Sequence, residues 1–310
     1  MSPTGNETLI KLLQAAAKDE HAAIIQYLRH AYLMGEGETA CEIEGIARDE
    51  MRHFWILSRW IVKLGGDPTI ERGFTEVTTS PVPEWMRQDV AAEDRAIAMY
   101  RDYLERIDDP DIRADIAHIL EDEERHHGDF THFVDKTQAA LLATGAQEPA
   151  PEGEPAIASV DKESLEWGMQ HEYAALLQYM THSFLLHQKD GEVSHQLELQ
   201  AINEMQHMGW FGEGLAGGGQ DIPLTHHGVT IPQDTDAMLE ANIKLEQQTS
   251  EMYGQFLTRM VDSGLKDVVN DARGHELYHE QLFKRLKRRT TPTPSGRGWT
   301  IGSLKRKENS

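Results

Sequence analysis

Six ionisable residues occur twice in this chain, in the same order and about 153 positions apart. The first set is Glu20, Glu50, His53, Glu93, Glu123 and His126; the second is Glu172, Glu204, His207, Glu246, Glu276 and His279. Offsets between copies are 152, 154, 154, 153, 153 and 153, so the second copy repeats the first almost without insertion. Each set reads Glu, Glu-x-x-His, Glu, Glu-x-x-His. Residues three apart on a helix share a face, so each Glu-x-x-His pair aims a carboxylate and an imidazole at one point. Four facing helices then supply four carboxylates and two imidazoles, an inventory that suits two metal ions in the core of a four-helix bundle. A single such pair arises readily by accident in an acidic helical protein. Four in register, with two lone glutamates per copy, do not.

The neighbours repeat as well. Gln26, Tyr27 and His30 follow Glu20 at the offsets by which Gln178, Tyr179 and His182 follow Glu172. Tyr100 and Tyr253 each lie seven residues after the third glutamate, about two helical turns, and so point the same way as that glutamate. These tyrosines, Tyr27, Tyr179, Tyr100 and Tyr253, are read as hydrogen-bond partners of ligand carboxylates, since ligands need such support; core packing alone is the plainer alternative. Carboxylate oxygens with imidazole favour iron or manganese and also accept zinc.

Composition narrows the function classes. The 310 residues suffice for two domains of ordinary size. No apolar run approaches the roughly 18 residues of a membrane span, and Met1 to Thr8 is polar, without a signal-peptide core. Cys41 is the only cysteine, which excludes a disulfide framework, a rubredoxin-type centre and a zinc ribbon, and the expected compartment is the cytoplasm. Net charge is −22, with nine Lys/Arg and one acid from Lys284 onward (+8), leaving −30 on the rest. An acidic body disfavours nucleic acid and favours cations.

Periodicity and breakers predict helices over Asn6–Met34, Thr39–Leu64, Pro83–Ile107 and Asp111 to about Leu142. The stretch from Gly65 to Pro83 has no helical pattern. Helices of about 25 residues span roughly 38 Å, and 19 extended residues reach about 60 Å, so this segment can return along the bundle. Gly214 to Pro232 is a similar stretch in the second copy. Short, long, short is a bundle with one crossover connection. The expected fold is all-α: two tandem four-helix bundles, each with one long crossover. The expected domains are 1–143 and 160–289, joined by a linker over 144–159 and followed by a tail over 290–310.

On these residues the chain resembles the ferritin-like proteins, and bacterioferritins most of all. The resemblance is carried by Glu20–His30 (EHAAIIQYLRH), Asp49–His53 (DEMRH) and Leu120–His126 (LEDEERH), and by EYAALLQYMTH, NEMQH and GHELYH in the second copy. It implies di-iron ferroxidase centres. Glu50 and Glu123 would bridge the metals in the first domain and Glu204 and Glu276 in the second, while Glu20, Glu93, Glu172 and Glu246 would be terminal. Two departures matter. Rubrerythrin-like peroxidases carry an extra carboxylate one turn after the third glutamate, where this chain has Ala96 and Thr249. Bacterioferritin subunits are single-domain members of a cage, so a homo-oligomer stays open here and a cage is not assumed. Met51 and Met205 sit where bacterioferritins place a haem-ligating methionine; ordinary helix packing is preferred over a shared haem.

After Thr290 comes a Pro/Gly-rich spacer and then Trp299-Thr-Ile-Gly-Ser-Leu-Lys-Arg-Lys307. This short apolar peptide with a basic end, too small to bury its own side chains, suits docking into a groove. It resembles the C-terminal targeting peptide of encapsulin cargo, which implies that Ile301, Gly302, Ser303 and Leu304 contact an encapsulin shell and that the protein sits inside that compartment. A frayed basic tail is the alternative.

The leading functional expectation is a ferroxidase that takes Fe(II), uses O2 or H2O2 as oxidant, and serves iron storage or detoxification. The alternative is a di-metal oxidase or oxygenase, or a Mn-catalase-like enzyme, whose metals stay in place. A non-catalytic scaffold needs none of the twelve residues.

Overall fold

The computed structural model of the chain describes residues 3–78, 80–143 and 157–290. They form eight α-helices: α1 (Pro3–Met34), α2 (Glu38–Lys63), α3 (Val82–Arg106), α4 (Pro110–Ala143), α5 (Ser159–Leu186), α6 (Gly191–Gly217), α7 (Thr235–Leu257) and α8 (Ser263–Thr290). There is no strand among the described residues. Helix α1 packs on α2 and α3, and α4 packs on α2 and α3; α5 to α8 repeat this arrangement. The result is two four-helix bundles. Their connections are short, long, short: 35–37, 64–81 and 107–109 in the first half, 187–190, 218–234 and 258–262 in the second.

Local chemistry explains where the helices stop. Gly65 and Gly219 take positive φ (83° and 67°) immediately after α2 and α6, the left-handed geometry that glycine adopts without steric penalty. In each case the next amide reaches back five residues, Gly66 N to Ile61 O and Gln220 N to Leu215 O, both at 2.9 Å. Side chains of Asp190 and Asp234 cap α6 and α7 by accepting from Val193 N and Ala237 N. The crossovers are pinned by equivalent glutamines: Gln26 Oε1 accepts from Glu76 N, and Gln178 Oε1 from Thr230 N, each at 2.9 Å. This role explains why the Gln repeats beside the Tyr.

One predicted boundary is corrected. The irregular stretch expected to start at Gly214 starts four residues later, because α6 runs through Gly217. The glycines of α6 serve close packing rather than chain breaking. A Cβ on Gly212 would lie 2.6 Å from the Tyr32 ring, and one on Gly214 would lie 3.0 Å from Leu165.

Tyr32 belongs to the first half, so that contact is part of the seam between bundles, where α1 meets α6 and α2 meets α5. Trp55 Nε1 donates to Ser183 Oγ at 2.9 Å, Tyr32 Oη to Met205 O at 3.2 Å, and Arg72 to Leu224 O at 2.6 Å. His21 and Tyr173, each one residue after a candidate ligand, meet across the seam at 2.5 Å. Among the described residues, no helix is long and apolar enough to cross a membrane.

Candidate metal centres

All twelve repeated residues are buried, each at most 3% exposed, and they converge in four groups. In the first half these are Glu20, Glu50, His53 and Glu123, then Glu50, Glu93, Glu123 and His126. The second half has Glu172, Glu204, His207 and Glu276, then Glu204, Glu246, Glu276 and His279. Within each group one ligand atom per residue lies within 4.8 Å of the others. Metal–ligand bonds of about 2.1 Å place opposite ligands about 4.2 Å apart, so each group has the size of one cation site. The two groups of a half share Glu50 and Glu123, or Glu204 and Glu276. Those are the four glutamates for which the family resemblance implies a bridging role.

Within the first set His53 Nδ1 bonds to Glu50 Oε2 at 2.8 Å, but many other donor atoms meet without pairing. His126 Nδ1 lies 3.0 Å from Glu50 Oε1, and His207 Nδ1 lies 2.9 Å from Glu204 Oε2. Yet none of these four buried atoms has a hydrogen-bond partner, nor do Glu93 Oε2, Glu123 Oε1, either oxygen of Glu276, or His279 Nδ1. Buried polar atoms are almost always paired. Lone pairs brought together and left unpaired are what a bound cation would satisfy, so the residues fit a pair of metal ions in each half.

Protonation follows the same logic. Burial raises Glu20 and Glu93 far above the carboxylate range, and the charges of Glu50 and Glu123 add to it. Burial and then Glu276 raise Glu246 likewise and take Glu172 to about 8. Burial works against charging His126, but the carboxylates of Asp49, Glu123 and Glu50 around the ring overturn it and raise the imidazole to about 12. His53 and His207 are raised in the same way, chiefly by Glu50 and Glu276. Without a cation, four carboxylates in one core are too many to ionise together.

Each terminal glutamate is held by a tyrosine from the neighbouring helix. Tyr27 on α1 donates to Glu93 Oε1 on α3 at 2.6 Å, and Tyr100 on α3 donates back to Glu20 on α1. Tyr179 and Tyr253 make the same exchange with Glu246 and Glu172. The pairing crosses between helices, so Tyr100 and Tyr253 serve the first glutamate of each set and not the third glutamate on their own helix.

His30 and His182 belong to none of the four groups. His30 Nδ1 bonds to Asp89 at 2.9 Å and its ring stacks on Trp85, while His182 Nε2 donates to Thr230 O at 2.9 Å. His30 thus ties α1 to α3, and His182 braces the second crossover. Met51 and Met205 are 3% and 7% exposed; of the two, Met205 alone lines the cavity of about 570 Å³ between α1, α2 and α6. Ile301, Gly302, Ser303 and Leu304, and most of the 144–159 linker, lie outside the described residues.

A cavity of about 320 Å³ leads from the exposed Phe74 past Asp19, Arg95 and Met99 to Glu20, Glu50, Glu93 and Glu123. Ala96 lines it, where a longer side chain would narrow the way in. Thr249 holds the same place in the second half, where its Oγ1 bonds His171 Nε2 at 2.6 Å. The sequence reading missed Asp122 and Arg125, which stand behind the ligand histidines of the first half. Their signal was the spacing: Asp122 lies one residue before Glu123, as Asp49 does before Glu50.

Residues 13–130, within the first bundle, match the Ferritin-like family. A bacterioferritin from Desulfovibrio desulfuricans is 35% identical over 99 residues, which cover 31% of this chain and 55% of that relative's length. The crystal structure of the Desulfovibrio desulfuricans bacterioferritin, with its diiron site in different catalytic states, is similar at 28% identity and a TM-score of 0.43. That similarity covers 49% of this chain and 94% of the other. A manganese catalase from Anabaena PCC7120 is similar at 17% identity and a TM-score of 0.38, covering 53% of this chain and 92% of the other.

Proposed function

We propose that the chain is a ferroxidase with two di-iron centres, one per bundle, which takes Fe(II) as substrate and passes its electrons to O2 or H2O2. The observation that carries this reading is the convergence of twelve buried donors into four cation-sized groups, paired through shared glutamates. Iron at such a centre supplies one-electron redox chemistry. The residues do the rest. Glu50 and Glu123 in the first half, and Glu204 and Glu276 in the second, would each contribute to both cation sites of their half, and each histidine would serve one site. Tyr27, Tyr100, Tyr179 and Tyr253 keep the terminal carboxylates aimed inward. The cavity lined by Glu20, Glu50, Glu93 and Glu123 provides a way in for Fe(II) and a way out for its oxidised form. Hard carboxylate oxygens suit both oxidation states.

Turnover tests it. Fe(II) supplied in large excess under air is expected to be oxidised far beyond the four ions that the centres hold, followed as the Fe(III) absorbance per chain. Oxidation that halts at four ions, with the metal retained, would instead favour a di-metal oxidase or Mn-catalase-like enzyme.

The tail belongs to the same proposal. Ile301, Gly302, Ser303 and Leu304 would dock on the inner wall of an encapsulin shell, placing the enzyme where its Fe(III) product can mineralise. Truncation after Gly298 is expected to leave helix content and Fe(II) oxidation unchanged while abolishing co-purification with a co-expressed encapsulin shell. Shell association retained by the truncated chain would refute the tail assignment and leave the ferroxidase reading standing.

A further inference from the structure

The two candidate centres have the same ligands but different backing. In the first half both ligand imidazoles point their outer nitrogen at a carboxylate. His53 Nε2 bonds to Asp122 Oδ2 and His126 Nε2 to Asp49 Oδ2, each at 3.3 Å. Arg125 ties the two aspartates together, 3.0 Å from Asp49 and 2.6 Å from Asp122. In the second half all three positions change: Asn203 stands for Asp49, His275 for Asp122 and Tyr278 for Arg125. His207 Nε2 meets His275 Nδ1 at 2.9 Å, an imidazole where the first half has a carboxylate, and the buried His279 Nε2 has no hydrogen-bond partner.

A carboxylate behind a ligand imidazole fixes the proton on the outer nitrogen, turns the inner lone pair to the metal and strengthens it as a donor. An imidazole in that place does this weakly, and an unpartnered nitrogen not at all. Access differs in the same direction. The 320 Å³ cavity reaches four ligands of the first centre. The cavity on the corresponding side of the second half is lined by Trp167, His171, His227, Lys244 and Met252 and by none of the six ligands.

We infer that the two centres are graded: the first binds divalent cations more tightly and fills before the second, and Asp49 and Asp122 are the positioning residues that set the difference. Loss of such outer partners typically lowers metal affinity about 10- to 100-fold, which is the gap expected between the halves. The inference rests on the twelve residues being ligands, and the experiment separates the two claims.

Metal-free full-length chain is titrated with Co(II), whose ligand-field bands report binding without turnover. Glu204→Ala isolates the first centre and Glu50→Ala the second. The isolated first centre is expected to show a Kd about 10- to 100-fold lower. Asp49→Asn with Asp122→His in the Glu204→Ala chain should remove that advantage. Asn203→Asp with His275→Asp in the Glu50→Ala chain should confer it, an effect that a merely structural role of these positions would not produce. Equal Kd values, or exchanges that leave them unmoved, would overturn the grading alone. Absence of Co(II) bands from the parent chain would overturn the ligand assignment beneath it.

Discussion

Replacing Glu50 and Glu204 together by alanine is expected to reduce rapid Fe(II) oxidation at least about 100-fold, more than the loss of an outer partner costs a metal site. Each of these glutamates belongs to both cation groups of its half, so one substitution removes a donor from two sites at once. Each is also buried, at 1% and 0% exposure, so no exposed side chain stands ready to replace it. The single variants discriminate further. Cation stoichiometry, measured by metal analysis after loading and desalting, should fall from four per chain to two in either single variant and to none in the double. A double variant that oxidises Fe(II) at the parent rate would place the chemistry elsewhere on the chain. Alanine removes a buried charge and leaves a small hole, so the folded state should survive and the comparison remains one of function.

Metal loading should also stabilise the protein strongly, and the effect should grow with pH. A ligand that binds only the folded state at 100 times its Kd adds about 2.7 kcal/mol per site. For domains of this size each kcal/mol shifts Tm by about 2–4 °C, so one occupied site should raise Tm by about 5–10 °C. The sign of the pH effect follows from the raised pKa values. Burial and neighbouring carboxylates raise Glu20, Glu93 and Glu246 above the carboxylate range and Glu172 to about 8, so these groups hold protons more tightly than free carboxylates. The surrounding carboxylates raise His53 and His207 as well, and His126 to about 12. A cation has to displace these protons, so binding releases acid and weakens as pH falls. Scanning calorimetry with and without Mn(II), from about pH 6 to about pH 8, should show a Tm gain that increases with pH. A pH indicator in weak buffer should record proton release on loading. A Tm that is indifferent to Mn(II), or uptake of protons, would contradict the assignment of these side chains as ligands.

Much of this was legible in one sequence because it is encoded locally. A Glu-x-x-His pair needs only the helical repeat to share a face, and the predicted helices end within three residues of the observed ends in the first half. The crossovers were legible from their lack of pattern and from their recurrence at matching places. The end of α6 was not legible, because Gly214 looks like a breaker. Its meaning lies on other helices, in Leu165 and Leu265, just as Gly209 and Gly212 make room for the Tyr32 ring from the opposite half. The tyrosines do donate to carboxylates of the repeated set, as expected, but the heptad spacing of Glu93 and Tyr100 says only that both face inward. The rotation and height of neighbouring helices then decide that Tyr100 reaches Glu20 and Tyr27 reaches Glu93.

By itself, then, the sequence determined the helices, the two-fold repetition of the ligand set and which glutamates accompany each histidine, because periodicity along one helix sets which side chains share a face. Only the tertiary structure decided which carboxylates are shared between two cation groups, which acid or imidazole stands behind each ligand histidine, and how the bundles meet along α1, α2, α5 and α6. Those relations depend on distances between helices. Such distances follow from how whole faces pack, and no spacing within a single helix contains them.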